Sequence, residues 1–371
     1  MPTIRRTLAA ATGVACTAVA VTGGVAAATA GAASSHEATD LVVYTGRKEA
    51  LIAPALRAFE AETGIKVKVK SGSNGALAQA ILAERGQPQA SVFISQDAPT
   101  CELLRREGAL APSSIPALNV IPGRFRAVDG SWVGISGRVR VLMYNKNLVR
   151  KDQLPQSVLD LTRPEWRGKV AMASSKEASV ASWAGALVLQ LGKERATAYL
   201  TKLKANGLTV LPGHTDVRKA VGRGEFAIGL VNHYYYHLES ADGSPVGVVY
   251  PDQQRLQRVK VKVRGSDGAV RTVIRGKLVP KSPLGVLFNA ATLCLVKDGP
   301  APASARAFVE YMTSARAQVN FSELNYEYPL RTGLPATNGV RPIHRVTQAP
   351  VNLRDIDAAA GLDALKAAGI E

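Results

Sequence analysis

The feature that most restricts this chain is a repeated local grammar: a short apolar run, a polar loop, then apolar residues at helical spacing. Leu41 to Tyr44 passes through Thr45 and Gly46 into Leu51, Ile52, Ala55, Leu56 and Phe59, and Gly64 ends the series. Ile65 to Val69 leads through SGSNG into a helix from about Ala76, and Ser91 to Ile94 leads through SQDAP into a helix reaching Leu104. Strands that alternate with helices pair as neighbours in a mostly parallel sheet, so the expected class is α/β.

Val139 to Tyr144 reads as a further strand, after which Pro155, Pro164 and Gly168 interrupt the rhythm. A second series follows. Val170 to Ala173 leads through SSKEAS to a helix near Trp183, Leu208 to Leu211 through PGHTD to a helix from Val217, and Phe226 to Val231 into NHYYYH. An extended run from Val286 to Val296 then precedes helices over about 303–312, with Pro302 at the start, and about 315–324. A returning strand suits a hinge of two crossing segments. The expected organisation is two lobes, 36–138 plus 286–322 and 139–285 plus 323–371, with an insertion at 255–281.

The 371 residues carry 46 Lys and Arg against 29 Asp and Glu, a formal charge of +17 that invites anionic partners. No nucleic-acid-binding motif accompanies the charge, and a nucleic-acid role is not expected. Residues 1–35 read as an export signal: Arg5 and Arg6 precede an uncharged run to Ser35, and Ala30, Gly31 and Ala32 suit cleavage before Ala33. The protein is therefore expected outside the cytoplasm, as a monomer. Cys16 follows Gly13, Val14 and Ala15, a weak likeness to a lipidation site and the single route to a membrane anchor; the arginine pair weakly resembles a twin-arginine signal. After processing only Cys101 and Cys294 remain, which excludes a metal held by several thiolates. Two buried thiols are expected in preference to a disulfide.

In open parallel sheets ligands bind beyond the carboxyl ends of the strands. The loops there hold Thr45 to Lys48, Ser71 to Asn74, Ser95 to Asp97, Ser174 to Lys176 and Asn232 to Tyr235. Hydroxyls, amides and cations of this kind suit a small, oxygen-rich anion. The most informative residues are Tyr234, Tyr235 and Tyr236, three of only ten tyrosines, placed where a helix should begin. Neighbouring side chains on a strand point to opposite faces, whereas in a first helical turn they can converge. Ferric iron prefers anionic oxygen, which phenolate supplies once the metal displaces a proton of pKa about 10. From spacing alone, packing of Tyr235 or Tyr236 against the lobe is the stronger reading. No catalytic elbow or phosphate loop is present, and the five histidines are scattered, so an enzyme is not expected.

The segments VNHYYYH, VVYTGR, SGSNG, VFISQDAP, WVGISGRVRVLMYN, SVLDLTRPEWRGKV and NYEYPL, ordered over residues 41 to about 330, resemble the bacterial ferric-ion-binding proteins of iron ABC importers. That resemblance implies a two-lobed periplasmic-binding-protein fold, type II-like, with Fe(III) in the cleft, a small anion completing its coordination, and an importer permease with its ATPase as partners. The family's adjacent tyrosine ligands fall on Tyr234 and Tyr235, and Tyr236 is read as packing. Some members carry a histidine after the first strand and a glutamate after the third, where this chain has Arg47 with Lys48, and Gln96. Others add a tyrosine after the strand beginning at Val170, where this chain has none.

With two phenolates, the remaining donors would come from water, carbonate, citrate or phosphate. Candidate contacts to that ligand are Gln96, Ser73, Asn74, Arg47, Lys48, Ser174, Ser175, Lys176 and Asn232; Tyr44 and Glu177 are further candidates. Each Ser or Asn also suits a helix cap. A rival reading keeps the fold and binds an organic anion such as a phosphonate. A reading of another class, an envelope docking or sensing module, rests on residues 255–281, where Val259, Val261 and Val263 alternate with Lys260, Lys262 and Arg264 before GSDG, the pattern of a basic β-hairpin.

Overall fold

The computed structural model describes residues 40–280 and 284–371. The expected export segment, with Cys16, lies outside them, as does Lys281 at the end of the basic insertion.

The first series folds as the sequence grammar requires: β1 (Leu41–Thr45), α1 (Glu49–Thr63), β2 (Val67–Ser71), α2 (Asn74–Ala83), β3 (Val92–Ser95) and α3 (Ala98–Arg106). β1 lies parallel to β2 on one side and to β3 on the other. Ile52, Leu56 and Phe59 share one face of α1 and are buried. β2 forms an edge of the sheet, and Lys66, Lys68 and Lys70 on and beside it are exposed, a charge pattern that blunts edge pairing.

The long strand β4 (Trp132–Asn145) is buried along its whole length. The second series follows as β5 (Val170–Ala173), α4 (Ala178–Leu191), α5 (Lys193–Ala205), β6 (Thr209–Leu211), α6 (His214–Gly222), β7 (Ile228–Asn232), α7 (His233–Ala241) and β8 (Val246–Val249). After β9 (Gln254–Arg264) and β10 (Val270–Pro280) come β11 (Phe288–Leu295), α8 (Pro302–Met312), α9 (Ala315–Asn325) and α10 (Ala358–Ala367). The main sheet runs β2-β1-β3-β11-β4-β7-β5-β6, with β8 also on β4, while β9 and β10 form a separate two-stranded sheet.

β4 changes partners partway along. From Trp132 to Val139 it pairs with β11, and from Arg140 to Asn145 it pairs with β7 and β8. One strand thus serves both lobes, and the switch falls between Val139 and Arg140. A second segment crosses the same point, because Gly137 and Tyr328 exchange backbone hydrogen bonds of 2.7 and 2.8 Å.

Each lobe closes its core with a late helix. Phe308 of α8 meets Phe59 edge-on at 4.9 Å, and burial of each such ring contributes about 1.5–3 kcal/mol. α10 packs on α4 and α5; a Cβ on Gly361 would strike the Ala181 carbonyl and the Gly185 backbone, so this close crossing needs glycine.

The cysteines correct the expectation of two thiols. Cys101 on α3 and Cys294 on β11 form a disulfide, with Cα atoms 6.1 Å apart and 193 residues between them in sequence. α3 lies against β11, and that tertiary contact brings together two cysteines whose sequence separation gave no sign of pairing.

Candidate functional site

At the switch in β4 the backbone alternation sets Ser136, Arg138 and Arg140 on one face, and all three are buried. Buried cations need partners. Glu327, itself fully buried, accepts hydrogen bonds of 2.8 and 3.0 Å from Arg47 Nη2 and lies 3.5 Å from Arg138 Nη1. Arg47 also donates to Ser136 Oγ at 2.9 Å. Arg140 donates to the Ser179 carbonyl and lies 3.4 Å from His214 Nε2. Burial lowers the Arg140 pKa to about 10, with nearby Tyr234 opposing the fall, so the group stays cationic at neutral pH. The Nε atoms of Arg47, Arg138 and Arg140 are buried without a hydrogen-bond partner among the described residues.

Against these arginines stands the start of α7. Asn232 ends β7 in extended conformation and serves as the N-cap, so His233, Tyr234 and Tyr235 form the first helical turn. His233 is fixed from two sides: its Nδ1 accepts from the Val139 N–H at 3.3 Å and its ring stacks on Tyr328 at 4.7 Å. Tyr234 and Tyr235 are both buried, their ring centroids 4.3 Å apart. The two phenols are coupled, so that Tyr235 favours ionisation of Tyr234 while Tyr234 disfavours that of Tyr235. Burial raises both phenol pKa values, while the Arg138 field pulls both back down. The helix amino terminus adds a favourable field for negative oxygen.

Both tyrosines line a cavity of about 10 Å³ together with Arg47, Lys48, Leu51, Gln96, Arg138 and Asn232. That is room for one water-sized body. Larger surface clefts, such as one of about 690 Å³ beside Trp166 and Lys169, contain no tyrosine pair. Gln96 donates through Nε2 to the Gly46 carbonyl at 2.5 Å. Lys48 reaches across to the other lobe, 3.2 Å from Thr215 Oγ1 and 3.8 Å from Glu177, whose charge raises the Tyr235 pKa from the rim. Ser182 of α4 likewise donates to Asp97 at the start of α3.

The remaining candidates have other partners. Tyr44 turns away from the cavity, donating to Glu84 at 3.0 Å and accepting from Lys70 at 3.1 Å, because its place in β1 is opposite in parity to Thr45. Asn74 is consumed locally: Nδ2 donates to Ser95 at 2.7 Å and Oδ1 accepts from the Gln96 N–H at 3.2 Å. Gly46 packs directly on this amide and has no room for a Cβ. Ser73 is the N-cap of α2, accepting from Ala76 at 3.2 Å. Ser174 accepts from the Lys176 N–H at 3.3 Å; neither these two nor Ser175 lines the cavity, and Lys176 is exposed. Tyr236 packs against the core and meets His237 edge-on at 4.9 Å.

The sequence reading did not single out Arg138, Arg140, Glu327 or His214. A signal existed for the arginines, since two cations spaced by two within an apolar strand must share a buried face. Glu327 had none of that kind, because its partners lie 280 and 189 positions away.

The profile described as bacterial extracellular solute-binding protein matches residues 40–323. A relative from Serratia marcescens named Fe(3+)-binding periplasmic protein is 31% identical over 211 residues, which cover 57% of this chain and 62% of the relative, less than two thirds of its length. Among solved structures, iron-bound HitA from Pseudomonas aeruginosa is 27% identical with a TM-score of 0.76, over 89% of this chain and 99% of that one. The Trichodesmium protein IdiA (FutA), solved with iron and citrate, is 26% identical with a TM-score of 0.68, over 90% of this chain and all of that one. On the extent of the profile match, the chain belongs to the bacterial extracellular solute-binding protein family.

Proposed function

We propose that this protein captures ferric iron between its lobes, with Tyr234 and Tyr235 as ligands, and presents it to the permease of an ABC importer and its ATPase. The observation that carries the reading is the pair of adjacent phenols converging on one small cavity lined also by the buried Arg47 and Arg138. The iron-bound relatives support the choice of metal. No bond is made or broken; the work is binding and release, in an extracytoplasmic protein. Lobes 36–138 plus 286–322 and 139–285 plus 323–371 would close on the ion, hinged where β4 changes partners.

Arg47 and Arg138, which line the cavity, would play two roles. Their charge stabilises phenolate, and their unpartnered Nε atoms offer donors to an anion such as carbonate, phosphate or citrate. A cavity this small admits such an anion only when the lobes move apart, so the anion would enter with or before the metal. Gln96 and Asn232 line the cavity as neutral amides, with Lys48 and Glu177 at its rim. A phosphonate is disfavoured by the iron-bound relatives.

Titration with ferric citrate tests the reading. A visible phenolate-to-iron charge-transfer band should grow to one equivalent and be absent from the Tyr234→Phe, Tyr235→Phe double variant. A colourless titration of the folded protein would overturn it.

A further inference from the structure

The ribbon formed by β9 and β10 takes no part in the site, and it is the most unevenly charged segment of the chain. Residues 254–280 hold eight of the 46 Lys and Arg and one of the 29 Asp and Glu. The cross-strand register distributes those cations in a regular way. Arg255 lies opposite Val279, Lys260 opposite Ile274, Arg264 opposite Val270, Arg271 opposite Val263 and Arg275 opposite Val259. Arg258, Lys262 and Lys277 face Gly276, Thr272 and Gln257, so no cation has a cation as its direct partner. Like charges directly opposed would destabilise the pair, and this register avoids them.

The register sets Lys262 and Arg264 of β9 opposite Thr272 and Val270 of β10. Near the turn, Lys262 and Arg264 are exposed and Val270 is 55% exposed; on the other face Val273 is 36% exposed. Asp267 in the turn is taken by Arg271 at 2.5 Å. Neither strand joins the main sheet.

We propose that this ribbon is a docking surface for a bilayer containing anionic phospholipid. Charge complementarity alone would also suit a soluble polyanion. Exposed valines beside the cations distinguish the two, because a bilayer surface offers headgroup charge and an apolar boundary within the reach of one side chain, as it does for amphipathic helices. The inference is independent of the metal site.

Cosedimentation of the full chain with phosphatidylglycerol–phosphatidylcholine vesicles tests it. The Lys260→Gln, Lys262→Gln, Arg264→Gln variant should lose about 100-fold in partitioning, since each cation at an anionic surface contributes about 1 kcal/mol, a factor of about five. A variant with equal charge loss elsewhere (Arg57→Gln, Lys193→Gln, Lys204→Gln) should stay within about twofold of the parent. Pure phosphatidylcholine vesicles should not sediment the protein, and high salt should release it. An equal loss in both variants would overturn the proposal, as would binding to soluble polyphosphate without binding to vesicles. An unchanged thermal midpoint of the hairpin variant shows that it is folded.

Discussion

Glu327→Gln should weaken the fold and, at the same time, let iron bind at lower pH. Glu327 is fully buried, accepts two hydrogen bonds from Arg47 and sits 3.5 Å from Arg138. Its charge is what keeps two buried guanidiniums tolerable. Removing one partner of a buried ion pair costs about 3–5 kcal/mol, because the surviving charge is left uncompensated. The second consequence runs through the phenol. Glu327 raises the Tyr234 pKa, whereas Arg138 and Arg47 lower it. Neutralising the carboxylate leaves the arginine field unopposed, so the phenolate is favoured and the pKa falls. Iron competes with that proton, so the pH midpoint of iron loading should move down. Urea unfolding of the apo form reads the first effect, and the charge-transfer band against pH reads the second. A midpoint that rises or stays fixed, with the fold demonstrably weakened, would refute the electrostatic argument.

Loading with ferric ion should release about two protons from the phenols, and about one in Tyr235→Phe, measured as base uptake in weakly buffered solution after subtracting hydrolysis of the metal. Lys48→Ala removes a half-exposed contact between the lobes and should speed iron release by no more than about fivefold, as expected of an exposed pair worth at most about 1 kcal/mol; stopped-flow transfer to a chelator would show it. Cys101→Ser with Cys294→Ser should lower stability by about 2–5 kcal/mol in urea while leaving the iron stoichiometry intact, since the bond joins α3 to β11 within one lobe. His233 is buried with its pKa lowered to about 3, and His237 to about 4. The folded state therefore binds fewer protons than the unfolded chain, so the stability of the apo protein should be full above about pH 6.5 and decline as pH falls below it, by about 1.4 kcal/mol per unit per group. Flat stability between pH 7 and 4 would contradict this.

What the amino-acid order determined by itself is local. The strand–loop–helix rhythm set the α/β class, Asn232 followed by HYYYH placed a helix start, and the polar tips of the strands gathered the candidates at one end of each sheet. Periodicity is sufficient for this, because side-chain direction repeats every two residues on a strand and every 3.6 on a helix. It also foretold the basic hairpin, from alternating valine and cation before a glycine-rich turn.

What only the tertiary structure decided is partnership. Tyr44 and Asn74 stand beside the expected cleft in sequence yet are spent on Glu84, Lys70, Ser95 and Gln96. Arg47, a candidate for the ligand, is chiefly the buried counter-ion of Glu327. Cys101 and Cys294 are joined by the contact of a helix with a strand 193 residues away. The electrostatic setting of Tyr234 and Tyr235 arises where β4 changes neighbours and the chain returns through Glu327. Contacts across such distances depend on which surfaces pack, and no periodicity in the local sequence encodes that.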